Sequence, residues 1–214
     1  MTPTVAEVID PTCQLQDAPE FWRYTPCNGN KVPIDPGTGR KAKDWPLNPY
    51  TLIDIATVNG NVPAIGLMTG PVSLTMCVDF DGPGSEQTFK HHVHHNVDEL
   101  PPTLAWTSGR PGRHQRAYLV PEEWLEKLKY QSLKTEGNGN VELRWKGLQS
   151  VIAGPHPNKD GDGQGYYNWC PGYSPEDIEL ADAPEWLLQA MVPASKPQSS
   201  FLSEKAKNKI SEFA

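Results

Sequence analysis

No apolar run in the 214 residues approaches the roughly 20 needed to cross a bilayer, and the chain opens on Met1-Thr2-Pro3-Thr4 without a basic or an apolar leader segment. A membrane protein is not expected, and the chain reads as cytoplasmic. Cysteine is scarce: Cys13, Cys27, Cys77 and Cys170 form no Cys-x-x-Cys pair, which excludes a zinc knuckle or a disulfide scaffold and leaves four reduced thiols. Positive charge is short as well. Nineteen Lys and Arg stand against 26 Asp and Glu, a net charge of −7, so bulk coating of a polyanion is excluded while a local basic cleft is not. Neither Gly-x-Gly-x-x-Gly nor a Walker A run occurs, which removes the dinucleotide fold and the P-loop. What is abundant is turn chemistry, with 18 glycines and 22 prolines. Many short elements are expected, and no coiled coil or helical solenoid.

Along the chain, residues 48–58 predict a short helix with Asn48 as N-cap and Pro49 in its first turn. Strands are expected over 64–68, 74–80, 103–107, 115–120, 141–145, 149–153 and 166–169, and helices over 85–97, 121–130 and 183–191. Proline at 121, acids at 122 and 123 and lysines at 127 and 129 support the second of these helices through the macrodipole. The strands at 103–107 and 115–120 flank a charged Gly/Pro turn and read as a hairpin. Residues 31–43 form a basic surface loop, 193–200 a linker, and 204–213 a possible terminal helix. Strands and helices mix without a βαβ rhythm, so the fold class is α+β.

Three segments carry chemistry. In Asp79-Phe80-Asp81-Gly82 the two carboxylates sit at i and i+2 of a strand and share a face. Hard oxygen ligands so placed suit Mg²⁺ or Mn²⁺; the plainer alternative is an acidic strand end. The turn Ser108-Gly109-Arg110-Pro111-Gly112-Arg113-His114, with Arg116 beyond it, puts arginines and a histidine beside glycine backbone donors. Such a turn grips phosphate, or else is a solvated basic hairpin tip. Glu142 alternates with Val141 and Leu143 and offers a third carboxylate, enough for a two-metal arrangement, although an exposed strand acid is the commoner case. His156 and Lys159 lie in a second cationic loop that a plain surface loop explains about as well. The cluster His91-His92-Val93-His94-His95 lacks further zinc ligands and reads as a solvated helix face.

Taken in order, these segments resemble the bifunctional primase/polymerase domains of the archaeo-eukaryotic primase superfamily, found in replication proteins of plasmids, phages and integrated elements. Lys31-Val32-Pro33 with Trp45 looks like the opening motif, and Ile65-Gly66-Leu67-Met68-Thr69-Gly70 like the strand before the first acidic motif. Cys77-Val78-Asp79-Phe80-Asp81-Gly82 is similar to that motif, Thr107 to His114 to the histidine motif, and Val141-Glu142-Leu143-Arg144 with Val151 to Pro157 to the third acidic motif and its sequel. The resemblance spans about residues 31–169. It departs at Pro111-Gly112, where Gly-Gly is usual, at Glu142, where Asp is frequent, and in lacking the zinc insertion of some relatives.

The resemblance implies an N-terminal α/β module packed on a C-terminal RRM-like module, with the active cleft between them, over residues 1–192. It implies two Mg²⁺ or Mn²⁺ ions on Asp79, Asp81 and Glu142, and triphosphate contact by His114 and Lys159; from the residue types themselves, Arg110, Ser108 and His156 are expected as further nucleotide contacts. Lys31, Arg113 and Arg116 are the expected DNA contacts. The implied activity is template-dependent joining of nucleoside triphosphates by a DNA primase and polymerase, with DNA, nucleotides and a helicase as partners. A metal-dependent nuclease or phosphoesterase, and a non-catalytic DNA-binding module of a replication initiator, use the same residue types and stay open at this level.

Overall fold

Period-two alternation over Thr75–Asp81 organises the molecule. The computed structural model describes residues 10–58, 62–157 and 165–193. The expectations for Lys159, most of the 154–165 loop and everything from 194 onward lie outside the described residues. Among the described residues nine strands make one antiparallel sheet: β1 (Tyr24–Cys27), β2 (Ala64–Met68), β3 (Thr75–Asp81), β4 (Ala105–Thr107), β5 (Arg113–Leu119), β6 (Gln131–Leu133), β7 (Asn140–Arg144), β8 (Gln149–His156) and β9 (Gly165–Trp169), in the order β1-β2-β8-β9-β4-β5-β3-β7-β6. Among the described residues three short helices accompany it: α1 (Leu52–Thr57), α2 (Ser85–Val93) and α3 (Glu185–Gln189). The fold is mixed α and β with an antiparallel sheet, as the irregular element order implies. The hairpin of β4 and β5 is present, with Trp106 opposite Gln115.

Two apolar cores divide the two faces of the central strands. Met76, Val78 and Phe80 point to one side and join Val141 and Leu143 of β7, Phe89 and Val93 of α2, and Leu187 and Leu188 of α3. Cys77 and Ala117 point to the other side and join Ile65 and Leu67 of β2 and Val151 to Ala153 of β8. Residues from the far end of the sheet thus cover the opposite face of β3 and β5, so the sheet curls. The Trp106 indole N–H donates to the Val151 carbonyl at 2.9 Å, tying β4 to β8 through that second core. Strand β8 returns to pair with β2, so early and late segments of the chain share one sheet.

Local differences from expectation have local causes. Helix α1 starts at Leu52, because Thr51 and Asp54 form a capping box in which each side chain accepts the other's backbone N–H; Asn48 instead closes a 3-10 turn, Trp45–Leu47. The helix expected over 121–130 is reduced to the 3-10 turn Glu122–Trp124. Leu128 is buried in the helix-side core, and Lys129 donates its N–H to the Met191 carbonyl at 2.9 Å, so tertiary contacts replace the helical ladder. Helix α2 stops at Val93, where His94 takes a left-handed φ of 63° and returns its N–H to Lys90. Strands β1 and β6, at opposite edges of the sheet, had no clear alternating signal.

Beneath the acids three loops meet backbone to backbone. Gly82 donates to the Gly112 carbonyl at 3.1 Å and Gly139 to the Pro83 carbonyl at 2.7 Å. A Cβ on Gly139 would lie 2.4 Å from the Gly82 carbonyl oxygen, so the ends of β3, β5 and β7 are held together at a point only glycine fits.

Candidate active site

Strand β3 leads from the core to solvent. Along its non-helical face Cys77 is fully buried, Asp79 has a side chain 14% exposed, and Asp81 one 48% exposed. Past Cys77, Asp79 and Asp81 line a cavity of about 450 Å³. Asp79 faces Glu142 across the β3–β7 ladder and Gln115 across β3–β5, while Asp81 faces Asn140 and Arg113. Directly opposed residues in antiparallel strands share a face, so the three acids converge although Glu142 is remote in sequence.

Their charges are answered by arginines. Arg144 Nη2 lies 2.7 Å from Asp79 Oδ2 and 2.9 Å from Glu142 Oε2, and Arg113 pairs with Asp81. Glu142 Oε1 also accepts from the Tyr130 hydroxyl at 3.0 Å. Burial pushes the Asp79 carboxyl up to about 6 despite Arg144, and the neighbouring Asp81 and Glu142 add to the rise. Among the described residues no three His, Cys, Asp or Glu side chains are gathered closely enough to hold a metal ion. The donor set nevertheless fits a hard divalent cation: three carboxylates share one face, and the charge of the most buried of them, disfavoured by desolvation, is one that a cation would stabilise.

Opposite the acids the cavity is cationic. Buried Arg110 donates from Nη1 to His156 Nε2 at 2.9 Å, and Lys31 Nζ lies 3.1 Å from the same nitrogen. Burial, then Lys31 and Arg110, pull the His156 pKa down, and the two cations converge on the one ring nitrogen, Nε2. Lys31 reaches this place from a turn in which Asn28 Oδ1 accepts the N–H groups of Asn30 and Val32, and Lys31 itself takes a φ of 64°. Gln149 of β8 fixes the turn by donating to the Lys31 carbonyl at 3.2 Å. Ser108, buried, completes this wall. Lys31 therefore sits with the nucleotide candidates Arg110 and His156, not apart from them.

His114 and Arg116 leave β5 on the other face. His114 is opposite Phe80, and their rings stack at 4.5 Å. His114 still borders the cavity, and its buried Nε2 has no hydrogen-bond partner. Burial, with help from Arg116, pulls its pKa down to about 4, so the ring is neutral at pH 7. Arg116 donates to the Val97 carbonyl at 3.2 Å and lines a separate groove with Glu86, Lys90 and Asp98.

Over residues 15–186 the sequence matches the family described as bifunctional DNA primase/polymerase, N-terminal. The chain belongs to this Prim-Pol family. No curated protein matches it. Membership indicates a DNA primase/polymerase, hence nucleotidyl transfer with DNA and nucleotides as ligands and a general dependence on divalent metal. No helix among the described residues of this Prim-Pol domain is long and apolar enough to cross a membrane.

Several residues of the candidate site escaped sequence reasoning. Arg144 had a signal, since it lies two positions after Glu142 on the same strand face. Gln115, Gln149 and Tyr130 had none: their places depend on which strands pair and in what register.

Proposed function

We propose that this Prim-Pol domain joins nucleoside triphosphates on a DNA template in replication, as primase and polymerase, with Asp79, Asp81 and Glu142 as the metal-holding acids. The observation that carries the reading is the β3–β7 register, which sets Asp79 against Glu142 with Asp81 two residues along, beside a cavity walled by Lys31, Arg110 and His156. Two Mg²⁺ or Mn²⁺ ions held there would supply activation of the attacking hydroxyl and stabilisation of the leaving pyrophosphate.

The chain's own side chains supply the rest. Arg110 offers a planar fork and Lys31 a point charge to the triphosphate, with His156 aligning both. Ser108 and Lys159 add polar contacts, and His114 lends an otherwise unpartnered ring nitrogen. Arg113, at the mouth of the cavity, and the basic loop 31–43 follow the template backbone, with Arg116 a contact on the far face. The family resemblance further implies a second, RRM-like module and a helicase as partner.

The test is incorporation of labelled nucleotide by the Asp79→Ala, Asp81→Ala double variant on a primed and an unprimed template, with Mg²⁺ or Mn²⁺. Loss to background is expected, with the melting profile retained. Incorporation equal to the unaltered chain overturns the assignment, and shortening of the DNA in place of product growth would identify a phosphoesterase.

A further inference from the structure

One guanidinium nitrogen stands where two of the acids meet. Arg144 Nη2 is within hydrogen-bond distance of Asp79 Oδ2 and Glu142 Oε2 together, and the second oxygen of Glu142 is engaged by Tyr130. We propose that Arg144 is a resident counter-cation that holds Asp79 and Glu142 together until a divalent metal takes its place, so that metal binding and release of the guanidinium are one event. The proposal rests on the reading of these acids as metal ligands.

Three observations support it. First, a divalent cation bonds carboxylate oxygen at about 2.0–2.6 Å. An ion sharing the two oxygens now bridged by Nη2 needs the volume that this nitrogen fills, so the two cations exclude one another. Second, Arg144 is bound in a way that allows it to leave. Its Nη1 donates to the Gln149 carbonyl at 2.6 Å, but its Nε is buried without a partner, so part of its donor capacity is already wasted in this position. Third, the site lies at the margin of the cationic cavity, whose wall Arg144 itself helps to form with Gln149 and Tyr167. A displaced guanidinium stays beside the place where an anionic substrate would sit.

Removing the counter-cation leaves two facing carboxylates on adjacent strands with nothing between them. The metal-free protein should lose stability, because a buried charge has lost its partner, and the same repulsion should raise metal affinity. A purely structural arginine predicts the first effect without the second.

The measurement is Mn²⁺ binding to the full chain, followed by the electron paramagnetic resonance of free Mn²⁺, together with melting temperatures with and without Mn²⁺. Arg144→Met should bind Mn²⁺ about tenfold more tightly than the unaltered chain, melt lower without metal, and gain more from Mn²⁺. Arg144→Lys keeps a cation without the planar fork and should fall between the two. Equal or weaker Mn²⁺ binding by Arg144→Met overturns the proposal, and if that variant does not fold, equal or weaker binding by Arg144→Lys does so. Asp79→Asn separates the two levels of inference: binding that is unchanged by Asp79→Asn would show that the acids are not the metal ligands at all, whereas binding lost in Asp79→Asn and unaltered in Arg144→Met would leave the acids standing and remove only the role of Arg144.

Discussion

The two faces of β3 use one backbone for opposite purposes. Toward the helices, Met76, Val78 and Phe80 are fully buried among apolar neighbours. Toward the covering half of the sheet, Cys77 is equally buried, but the next two residues on that face are acids that reach the cavity. Two histidines mark the same contrast. His114 stacks on Phe80 with a ring nitrogen unpartnered, while His156 on the cavity side has two cations at one ring nitrogen. Both rings are pulled toward neutrality, mainly by burial. The contrast teaches that continuous packing on one face lets the other hold three repelling carboxylates together, at a cost in stability that the core offsets.

The sharpest way to separate the faces is a paired substitution. Phe80→Ala should cost about 3–5 kcal/mol in denaturant unfolding, through lost burial and the cavity left behind. Its neighbour Asp81, half exposed, should tolerate Asn within about 0.5 kcal/mol while nucleotide incorporation drops on the order of a hundredfold. Equal stability losses for the two variants would erase the distinction.

A smaller effect is expected where the ends of β3, β5 and β7 are pinned together. Gly139→Ala forces a methyl against the Gly82 carbonyl and should destabilise by about 1–3 kcal/mol. Because the acids sit on the strands joined there, Mn²⁺ affinity should fall too. Destabilisation with unchanged affinity would show that the acids are held by the sheet ladder alone.

The acid face should also carry its own pH dependence. Asp79 titrates near 6 in the folded chain, above its ordinary value of 3.8, so the unfolded chain gives up this proton first as pH rises. Its contribution favours folding below about pH 4, weakens between pH 4 and 6, and is constant above. With metal chelated, the stability difference between the unaltered chain and Asp79→Asn should change by about 1–3 kcal/mol across that window and be flat from pH 7 to 8. A flat difference throughout would show that Arg144 fully compensates the burial of Asp79.

The smallest change is expected at Tyr130, which is 41% exposed and donates to Glu142 Oε1. Tyr130→Phe removes one exposed hydrogen bond and should alter stability by about 0.5–1 kcal/mol and incorporation by less than threefold. A loss as large as that of Asp81→Asn would promote Tyr130 to an essential support of the third acid.

Much of the acid face could be read from the chain because period-two alternation is a local property. Asp79 and Asp81 had to share a face, and Glu142 had to oppose Val141 and Leu143, which are buried in the helix-side core. The phosphate side was less readable. Arg113 and His114 are adjacent and were grouped in one turn, yet adjacent strand residues point apart, and the pairing of Phe80 with His114 sends that ring away from the acids. The helix expected over 121–130 failed for a related reason: cap and dipole signals were sound locally, but burial of Leu128 and the bond from Lys129 to Met191 outweighed them.

Composition, charge and alternation were enough to specify an α+β domain with a paired-acid strand, a cationic hairpin and a third acid, since each is written in neighbouring residues. The partner of each charge came only from the folded chain: Arg144 between Asp79 and Glu142, Arg113 on Asp81, Lys31 and Arg110 on His156. Such pairings follow from strand order and register, which are set by the packing of two cores across the whole sheet and leave no mark in any one stretch of sequence.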